Sequence, residues 1–277
     1  MITNEPDLEL GLIETMLVFD GAVMELEAHL ERLERSTIRL YDRPLPAELR
    51  PAMESALRAR PLDRAARLKV AVWPTASGLC FGTEVEPTAH HVLNPLSGTG
   101  LRLRTATVTG GLGAHKWRDR SLTERLGAGL DPGEELVIVD DDGEILETGA
   151  GNLFAVFAKR ITTPPADHRL LPGVTRARVL ELARSLRLHA EERPLKLAEL
   201  SGATEVFVTS AVRGLVPATE CGENGWPVGE IALRLRRKLG ELWSSPSRRK
   251  TSWAPPSDPL EDREISQRSA RGSRVQE

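Results

Sequence analysis

Lys116 is the residue of this sequence whose surroundings best suit nucleophilic chemistry. It follows a glycine-rich turn at residues 110–113 and has His115, Arg118 and Arg120 as neighbours. Nearby positive charges disfavour the ammonium form and lower the pKa of a lysine, so the neutral amine becomes accessible. A lysine that forms a Schiff base needs this property. Viewed locally, a solvated lysine in a basic turn is the simpler explanation.

Two further stretches carry amide and hydroxyl donors that could hold a phosphate. The backbone around Val174 and Thr175 opens a strongly periodic stretch, which predicts a helix to about residue 186. The free N–H groups and the dipole of a helix start favour an anion. Residues 205–214 run from a buried strand into a small-residue turn with Ser210 and Ala211, which offers similar donors. The alternatives are an N-capping threonine and an ordinary strand end.

The composition excludes several classes of protein. The 277 residues are 40% hydrophobic, which is enough for a substantial core in one large or two modest domains. The net charge of −3 comes from mixed acids and bases and argues against nucleic-acid binding, and no apolar run approaches the roughly 18 residues of a membrane span. The first residues lack the basic and apolar regions of a signal peptide, so a cytoplasmic protein is expected.

The cysteines and histidines predict no metal site. Cys80 and Cys221 are too few and too far apart for a metal cluster or a disulfide framework, and we interpret them as free thiols. The six histidines show no ligand spacing on a common helix face, and the adjacent pair His90 and His91 is better explained as a strand end.

The order of the predicted elements indicates a protein of mixed α and β structure. The first part contains, in order, a β-hairpin over 10–25, helices over about 27–41 and 47–60, and strands near 67–73, 78–82 and 90–93. This order predicts a small α+β unit over residues 1–108. The glycine cluster at 110–113 is interpreted as the crossing into a second unit over residues 109–243. From about residue 244 the chain is rich in Ser, Pro and Arg, which predicts a disordered tail over 244–277.

Six short motifs, taken together and in this order, resemble the class IV, or fold type IV, pyridoxal-phosphate enzymes. They lie within about residues 8–235 and are Leu12-Ile-Glu-Thr15, His29-Leu-Glu-Arg32-Leu33, His115-Lys116, Glu147 with Asn152-Leu-Phe154, Leu171-Pro-Gly-Val-Thr-Arg176 and Thr209-Ser-Ala-Val-Arg-Gly214. The resemblance implies pyridoxal 5'-phosphate as cofactor. It also implies the two-domain fold of the D-amino acid aminotransferase kind, in which a small N-terminal α+β domain precedes a larger, β-rich α/β domain. A homodimer that acts on a small amino substrate is implied as well.

The resemblance assigns roles to the matching positions. Lys116 corresponds to the lysine that forms the Schiff base with the cofactor and later carries a proton. Glu147 corresponds to the carboxylate that pairs with the pyridine nitrogen and so keeps the ring an electron sink. Arg32 corresponds to a phosphate-binding arginine. The other expected cofactor contacts are Asn152, Val174, Thr175, Ser210 and Ala211.

Within this family, two features favour a lyase over an aminotransferase. Branched-chain aminotransferases carry a tyrosine five residues after the lysine, where this chain has Ser121. The stretch Lys116-Trp-Arg-Asp119-Arg120 looks like the Lys-x-x-Asn-Arg pattern of the aminodeoxychorismate lyases, with aspartate in place of asparagine. The expected reaction is therefore the elimination of pyruvate from 4-amino-4-deoxychorismate to give p-aminobenzoate, a step of folate biosynthesis.

Substrate contacts are expected from Arg120 and Arg213, because a guanidinium offers a bidentate fork to the carboxylates of this substrate. The resembling Glu-Thr motif of the first unit adds Thr15 as a third expected contact. Each of the three could instead form a structural ion pair or a strand-end hydrogen bond. Two other functions remain open: a class IV aminotransferase of the branched-chain or D-amino acid type, and a catalytically silent relative that binds partners.

Overall fold

A computed structural model of the protein describes residues 1–59, 64–88 and 100–245. The predicted strand end at His90 and His91 and the predicted tail beyond residue 245 lie outside these ranges. Among the described residues, no helix is long and apolar enough to cross a membrane. Cys80 is exposed, Cys221 is buried, and both are free thiols as the sequence predicted.

The first part of the chain forms a four-stranded antiparallel sheet with two helices against one face. Its elements are β1 (Leu12–Phe19), β2 (Ala22–Val23), α1 (Leu26–Tyr41), α2 (Leu49–Arg58), β3 (Ala65–Thr75) and β4 (Gly78–Pro87), with the strands in the order β2-β1-β3-β4. Alternate residues of β1, such as Leu12 and Met16, pack with Leu30 of α1 and Leu68 of β3 in one core. The other face of β1 is left to line the site.

A nine-stranded sheet forms the larger part of the structure. Its strands are β5 (Leu101–Thr107), β6 (Glu134–Val139), β7 (Ile145–Thr148), β8 (Asn152–Phe157), β9 (Arg160–Thr163), β10 (Ala190–Glu192), β11 (Glu205–Ser210), β12 (Gly214–Cys221) and β13 (Asn224–Gly225). They lie in the order β10-β9-β8-β11-β12-β5-β6-β7, with β13 beside β12. A tight turn joins β7 to β8, and its ends pair at Thr148 and Gly151, so the sheet curls until β7 meets β8.

Apolar side chains from six strands fill the inside of this curled sheet. Val137, Leu153 and Val208 belong to this core, which Trp226 joins with its indole N–H donating to the carbonyl of Leu200 at 3.2 Å. The outside is covered by α3 (Ser121–Gly127), α4 (Val174–Ser185) and α5 (Glu230–Ser244). A short 3-10 helix (Leu197–Gly202) precedes β11.

β5 belongs to the larger sheet, where it pairs in parallel with both β12 and β6. The sequence placed residues 101–108 in the small N-terminal unit, and that part of the prediction is wrong. Parallel neighbours are joined through long connections, so the pattern around β5 carries no sign of its partners. The division of the chain into two domains stays a prediction, but the larger sheet begins at Leu101.

Glu25 connects the small sheet to the helices of the larger part. Its carboxylate accepts two hydrogen bonds from Arg178 of α4, at 2.9 Å from Nε and 2.7 Å from Nη2. The indole N–H of Trp243 in α5 donates to the same carboxylate at 3.3 Å. Beside these polar contacts, Leu17 of β1 packs in one apolar cluster with Leu239 of α5. These contacts fix the relative position of the two sheets.

Replacing Glu25 should therefore destabilise the protein more than replacing a glutamate of a surface pair. Among the described residues, Glu25→Ala leaves Arg178, whose side chain is 20% exposed, with the exposed Glu181 as its one ion-pair partner, and should lower the free energy of unfolding by about 2 kcal/mol. The control is Glu27→Ala, which removes a surface pair with Arg50 and should cost less than about 1 kcal/mol. Urea unfolding measures both variants, and equal losses would contradict this role of Glu25.

Candidate active site

A cavity of about 440 Å³ is lined by residues of both parts of the structure. Its walls come from β1, α1 and β3 on one side and from β8, α4 and the turn between β11 and β12 on the other. Glu147 lies in an adjoining recess of about 40 Å³, whose walls also include Lys116 and Arg120. All the other predicted site residues line the main cavity: Thr15, Arg32, Lys116, Arg120, Asn152, Val174, Thr175, Ser210, Ala211 and Arg213.

Lys116 is positioned by backbone pairing with the start of β1. The amide of Ile13 donates to the carbonyl of Lys116 at 2.9 Å, and the amide of Arg118 donates to the carbonyl of Gly11 at 3.0 Å. Two hydrogen bonds on either side of one residue fix its backbone and therefore the direction of its side chain. A lysine of the larger part is thus held by a strand of the small sheet.

The glycine-rich turn before Lys116 returns the chain to the small sheet. Gly111 has φ +73, and a Cβ at this position would lie 2.1 Å from the carbonyl oxygen of Arg169, so glycine is required there. From the sequence, this turn was interpreted as the crossing from the first unit to the second. That interpretation is wrong, because β5 already lies in the larger sheet before the turn begins.

Burial lowers the pKa of Lys116 to about 8, and the positive charge of Arg32 acts in the same direction. Glu14 and Glu147 oppose the shift, and Arg120 adds to it. A usable fraction of the side chain is therefore a neutral amine near neutral pH.

The sequence predicted this direction of shift but assigned part of it to the wrong neighbours. The guanidinium of Arg118 lies over the ring of Trp73, 5.1 Å from its centre. His115 turns its Nδ1 to the hydroxyl of Ser36 at 2.9 Å. Neither residue is among the causes of the lowered pKa of Lys116, since residues adjacent in sequence project in different directions.

Glu147 is a buried carboxyl group on β7. Among the described residues its hydrogen-bond partner is the amide of Leu171, 3.3 Å from Oε1. Burial raises its pKa to about 8, against the opposing effects of that amide and of the Lys116 charge. A protonated ring nitrogen placed beside this carboxyl would supply the missing positive charge, so the recess suits a pyridine.

A buried carboxylate that the sequence analysis did not assign holds Arg32 in the cavity wall. Oε1 of Glu14 accepts from Nε of Arg32 at 2.8 Å, and Oε2 accepts from Nη2 at 2.7 Å. Oε2 also lies 2.7 Å from Nδ1 of His29, and Nη1 of Arg32 donates to the carbonyl of Pro172 at 3.0 Å. Burial alone would raise the pKa of Glu14, but Arg32 and His29 hold it well below its usual range. The available signal was a glutamate on the apolar, core-facing side of β1.

The start of α4 lies in the cavity wall, which includes residues 173–176. Gly173 is the N-cap residue, and no side chain of the described residues caps this end. Thr175 is thus the second residue of the helix, and the alternative of an N-capping threonine is wrong. The free N–H groups and the dipole of this first turn suit a phosphate.

A second set of donors comes from the loop between β11 and β12. Ser210 pairs with Gly214 across this hairpin, and Gly214 has φ +64. The three residues between them, which include Ala211, form a loop of a common bulged type. The Ser210 hydroxyl accepts from the amide of Arg213 at 3.3 Å. The loop brings a hydroxyl and backbone amides to the same cavity as α4.

Asn152 braces the start of α4. Its Nδ2 donates to the carbonyl of Leu171 at 2.9 Å, and a Cβ on Gly173 would lie 1.9 Å from its Oδ1. Gly151 is equally confined, because a Cβ there would lie 2.0 Å from the carbonyl oxygen of Thr209. Asn152 lines the cavity, as predicted for a cofactor contact, and these close approaches also make it a support of the helix start.

The three predicted substrate contacts reach the cavity from three different elements. Thr15 comes from β1. Arg120 directs Nη2 to the carbonyl of Gly149 in the turn between β7 and β8. Arg213 forms an ion pair with the buried Glu135, a residue that the sequence analysis did not consider.

Asp119 stands where the lyase pattern has asparagine. Its two carboxylate oxygens accept from the amides of Asp7 and Ser121, each at 3.0 Å. Both oxygens are used as acceptors, so the aspartate joins the N-terminal segment to the first turn of α3 and thereby steadies the stretch between Lys116 and Arg120.

These features form a donor set that fits pyridoxal phosphate. A lysine with a lowered pKa, a buried carboxyl with no ion pair among the described residues and an uncapped helix start surround one cavity and its adjoining recess. The fold and the site define a pyridoxal-phosphate enzyme of fold type IV. The model of the Amino-transferase class IV family matches residues 11–221, and the chain belongs to this family, whose cofactor is pyridoxal phosphate.

Among the proteins similar in sequence to this chain, some are named as aminotransferases and one is named as an aminodeoxychorismate lyase. The chain is 28% identical over 250 residues to a provisionally named branched-chain-amino-acid aminotransferase of Methanocaldococcus jannaschii, with 84% of this chain and 86% of the relative covered. It is 26% identical over 230 residues to the aminodeoxychorismate lyase of Bacillus subtilis, with 77% and 78% covered.

Solved structures confirm the predicted fold class. The branched-chain amino acid aminotransferase of Escherichia coli superposes with a TM-score of 0.72 at 21% identity, covering 84% of this chain and 85% of that one. A hypothetical aminotransferase from Mycobacterium tuberculosis in its PLP-bound form also gives 0.72 at 21% identity, covering 87% and 93%.

The raised pKa of Glu147 predicts a pH dependence of stability in the cofactor-free protein. Between pH 4.5 and about 8 the folded chain keeps the proton of Glu147 and the unfolded chain has lost it. The contribution of Glu147 to the free energy of unfolding is therefore full below pH 4.5 and is lost as the pH rises to about 8. The lowered pKa of Lys116 changes the stability in a separate pH range, between about 8 and 10.5. The stability advantage of wild type over Glu147→Gln should therefore fall by on the order of a few kcal/mol between pH 4.5 and 8. Urea titrations of both proteins measure it, and a constant difference would refute the assignment.

Gly173→Ala should weaken cofactor binding, because its Cβ would displace Asn152 and the start of α4. We expect the Kd of the cofactor-free protein for pyridoxal phosphate to rise about tenfold, or ~1.4 kcal/mol. The control is Gly202→Ala, where a Cβ meets no atom within 4 Å, and its Kd should stay within about twofold of wild type. Fluorescence titration gives both constants, and equal values for the two variants would count against this role.

Proposed function

We propose that this enzyme is an aminodeoxychorismate lyase, which eliminates pyruvate from 4-amino-4-deoxychorismate and leaves p-aminobenzoate. The observation that carries the proposal is the charge of the main cavity. Its described lining contains no carboxylate, whereas its cations are Lys116, Arg32, Arg67, Arg120, Arg176 and Arg213. Four of these arginines pair with carboxylates that are not part of the lining, so the groups that face the cavity are cationic and suit the phosphate of the cofactor and a substrate with two carboxylates.

Arg120 differs from the other cavity arginines in its partner. Four of them pair with a carboxylate, as Arg32 with Glu14, Arg67 with Glu86, Arg176 with Glu192 and Arg213 with Glu135. Arg120 donates to the carbonyl oxygen of Gly149 instead. Its charge is not neutralised by a direct ion pair, so its guanidinium suits a carboxylate of the substrate. We assign Arg120, with Arg213 and Thr15, to substrate binding.

The tyrosine of the branched-chain aminotransferases has no counterpart in this cavity. Ser121, at the corresponding position, is exposed and begins α3. Tyr41, the only tyrosine of the chain, donates its hydroxyl to the carbonyl of Leu8 at 3.0 Å and is not part of the cavity lining. The absence of this hydroxyl supports the lyase over those aminotransferases.

The proposed roles follow from the chemistry of each group. Bound pyridoxal phosphate supplies an aldehyde for the substrate amine and a ring that accepts electrons. Lys116 would hold the cofactor, and its neutral side-chain amine would accept the proton from the substrate ring carbon next to the amine. Glu147 keeps a proton at the ring nitrogen. The phosphate is assigned to Arg32, Val174, Thr175, Ser210 and Ala211, with Asn152 supporting the turn.

A class IV aminotransferase is the second candidate. The relative from M. jannaschii and the structural similarity to the E. coli enzyme support it, since both bear the branched-chain aminotransferase name. The same lysine and glutamate would serve that reaction. The homodimer and the cytoplasmic location expected from the sequence remain proposals under either function.

The purified holoenzyme should release p-aminobenzoate and pyruvate from aminodeoxychorismate in equal amounts. Fluorescence measures the first product and coupled lactate dehydrogenase the second. With L- or D-amino acids and 2-oxoglutarate the same protein should form no new amino acid. Amino transfer without release of p-aminobenzoate would refute the lyase and establish the alternative.

Arg120→Gln should lower kcat/KM for aminodeoxychorismate about 100-fold, or ~2.7 kcal/mol, because a charged contact to a carboxylate is lost. The control is Arg118→Gln, an exposed arginine two residues away that lies over Trp73 outside the cavity. Its kcat/KM should stay within about threefold of wild type. Equal losses in the two variants would remove Arg120 from the substrate site.

A further inference from the structure

Arg67 lines the cavity, although no motif of the sequence pointed to it. Its side chain is 41% exposed, compared with 28% for Arg213 and 7% for Arg32. Of these three cavity arginines, it is the one that an entering molecule can most readily reach.

The strand register places Arg67 beside Thr15. In the antiparallel pair of β1 and β3, Thr15 is opposite Lys69 and Leu17 is opposite Arg67. Opposite residues of a pair point to the same face, and residues two apart along a strand share it, so Thr15 and Arg67 are diagonal neighbours on one face. Arg67 therefore belongs to the small-sheet wall of the cavity, whereas Arg213 lies in the turn between β11 and β12, and Arg120 contacts Gly149 of the turn between β7 and β8.

The partner of Arg67 is a shared carboxylate. Nε and Nη2 of Arg67 both donate to Oε2 of Glu86, at 3.1 and 2.6 Å, and Nη1 takes no part in this pair. Lys69 donates to the other oxygen, Oε1, at 2.9 Å. Glu86 consequently keeps a cationic partner if Arg67 turns toward the cavity. The movement leaves no carboxylate unpaired.

We infer that Arg67 binds the second carboxylate of a dicarboxylate substrate, across the cavity from Arg120. This inference rests on the proposed function for the identity of that substrate. Arg67 comes from the small sheet, whereas Arg120 precedes α3 and donates to Gly149 of the larger part, so a molecule with carboxylates at both ends contacts both guanidinium groups. A monocarboxylate engages one wall only, and Arg67 thereby determines specificity for dicarboxylates.

The kinetic test uses Arg67→Gln and a matched control from the same strand. Arg67→Gln should raise the KM for aminodeoxychorismate about tenfold and change kcat less than about threefold, while Arg67→Lys restores part of the loss. The control, Lys69→Gln, breaks the neighbouring contact to Glu86 but alters no residue of the cavity lining. Its KM should equal that of wild type. An unchanged KM in Arg67→Gln, or an equal rise in Lys69→Gln, would overturn the inference.

A binding test removes any dependence on turnover. Chorismate has the same two carboxylates as the substrate but a hydroxyl in place of the amine, and 4-hydroxybenzoate keeps only the ring carboxylate. Titration calorimetry of the holoenzyme should show that wild type binds chorismate more tightly than 4-hydroxybenzoate. Arg67→Gln should bind the two with nearly equal affinity, and thermal unfolding checks that the variant is folded. Persistence of the full preference in Arg67→Gln would overturn the inference.

The two proposals fail in distinguishable ways. If the holoenzyme transfers amino groups and releases no p-aminobenzoate, the proposed function fails, and the comparison is made with 2-oxoglutarate and 2-oxobutyrate as amino acceptors. Loss of the preference for 2-oxoglutarate in Arg67→Gln would then still support the role of Arg67. A wild-type enzyme without preference for the dicarboxylate in either comparison would overturn it.

Discussion

The pairing of the Lys116 backbone with β1 is the constraint on which the site depends. One strand supplies the amide of Ile13 to the carbonyl of Lys116 and, from its core-facing side, the carboxylate of Glu14 to Arg32. The positions of Lys116 and Arg32 are thus both fixed by contacts with the eight-residue strand β1, although the two residues are far apart in the chain. The two sheets must keep their relative position for this arrangement to persist, and the contacts of Glu25 with α4 and α5 help to maintain it.

The electrostatics of the cavity show why the fold tolerates groups that would be costly elsewhere. Burial moves the pKa of Lys116 down and that of Glu147 up, so the pKa of each group is shifted toward its neutral form before any ligand binds. Arg32 and Glu14, by contrast, remain charged because they satisfy one another. A lysine and a carboxyl group whose pKa values both shift toward the neutral form, in adjoining spaces, are typical of a catalytic centre. The charged pair forms the rigid frame, whereas the two groups with proposed chemical roles, Lys116 and Glu147, have no ion pair among the described residues.

Much of this site could be predicted from the sequence, because its residues lie in short local motifs. The helix start at Val174, the turn at Ser210 and the lysine after a glycine cluster each have a local signature, and the structure gathers them around one cavity. What the sequence could not reveal depends on pairing over long distances. β5 was assigned to the wrong unit because its partners β6 and β12 are remote in sequence. Glu14, Glu135 and Arg67 were missed because a charged residue in a strand becomes meaningful only when the register shows what it faces.

The position of β4 has a consequence beyond catalysis. Among the described residues it is the outermost strand of the small sheet, ten residues long, and a long outer strand can template the addition of a strand from another molecule. Its last part carries Glu84 and Glu86 and ends at Pro87, a residue with no amide hydrogen to offer. The acidic side chains that pair with Lys69 and Arg67 therefore also protect this edge strand from pairing with another copy of the chain. Glu86 thus disfavours strand pairing at this edge and also pairs with Arg67, the arginine proposed to bind substrate.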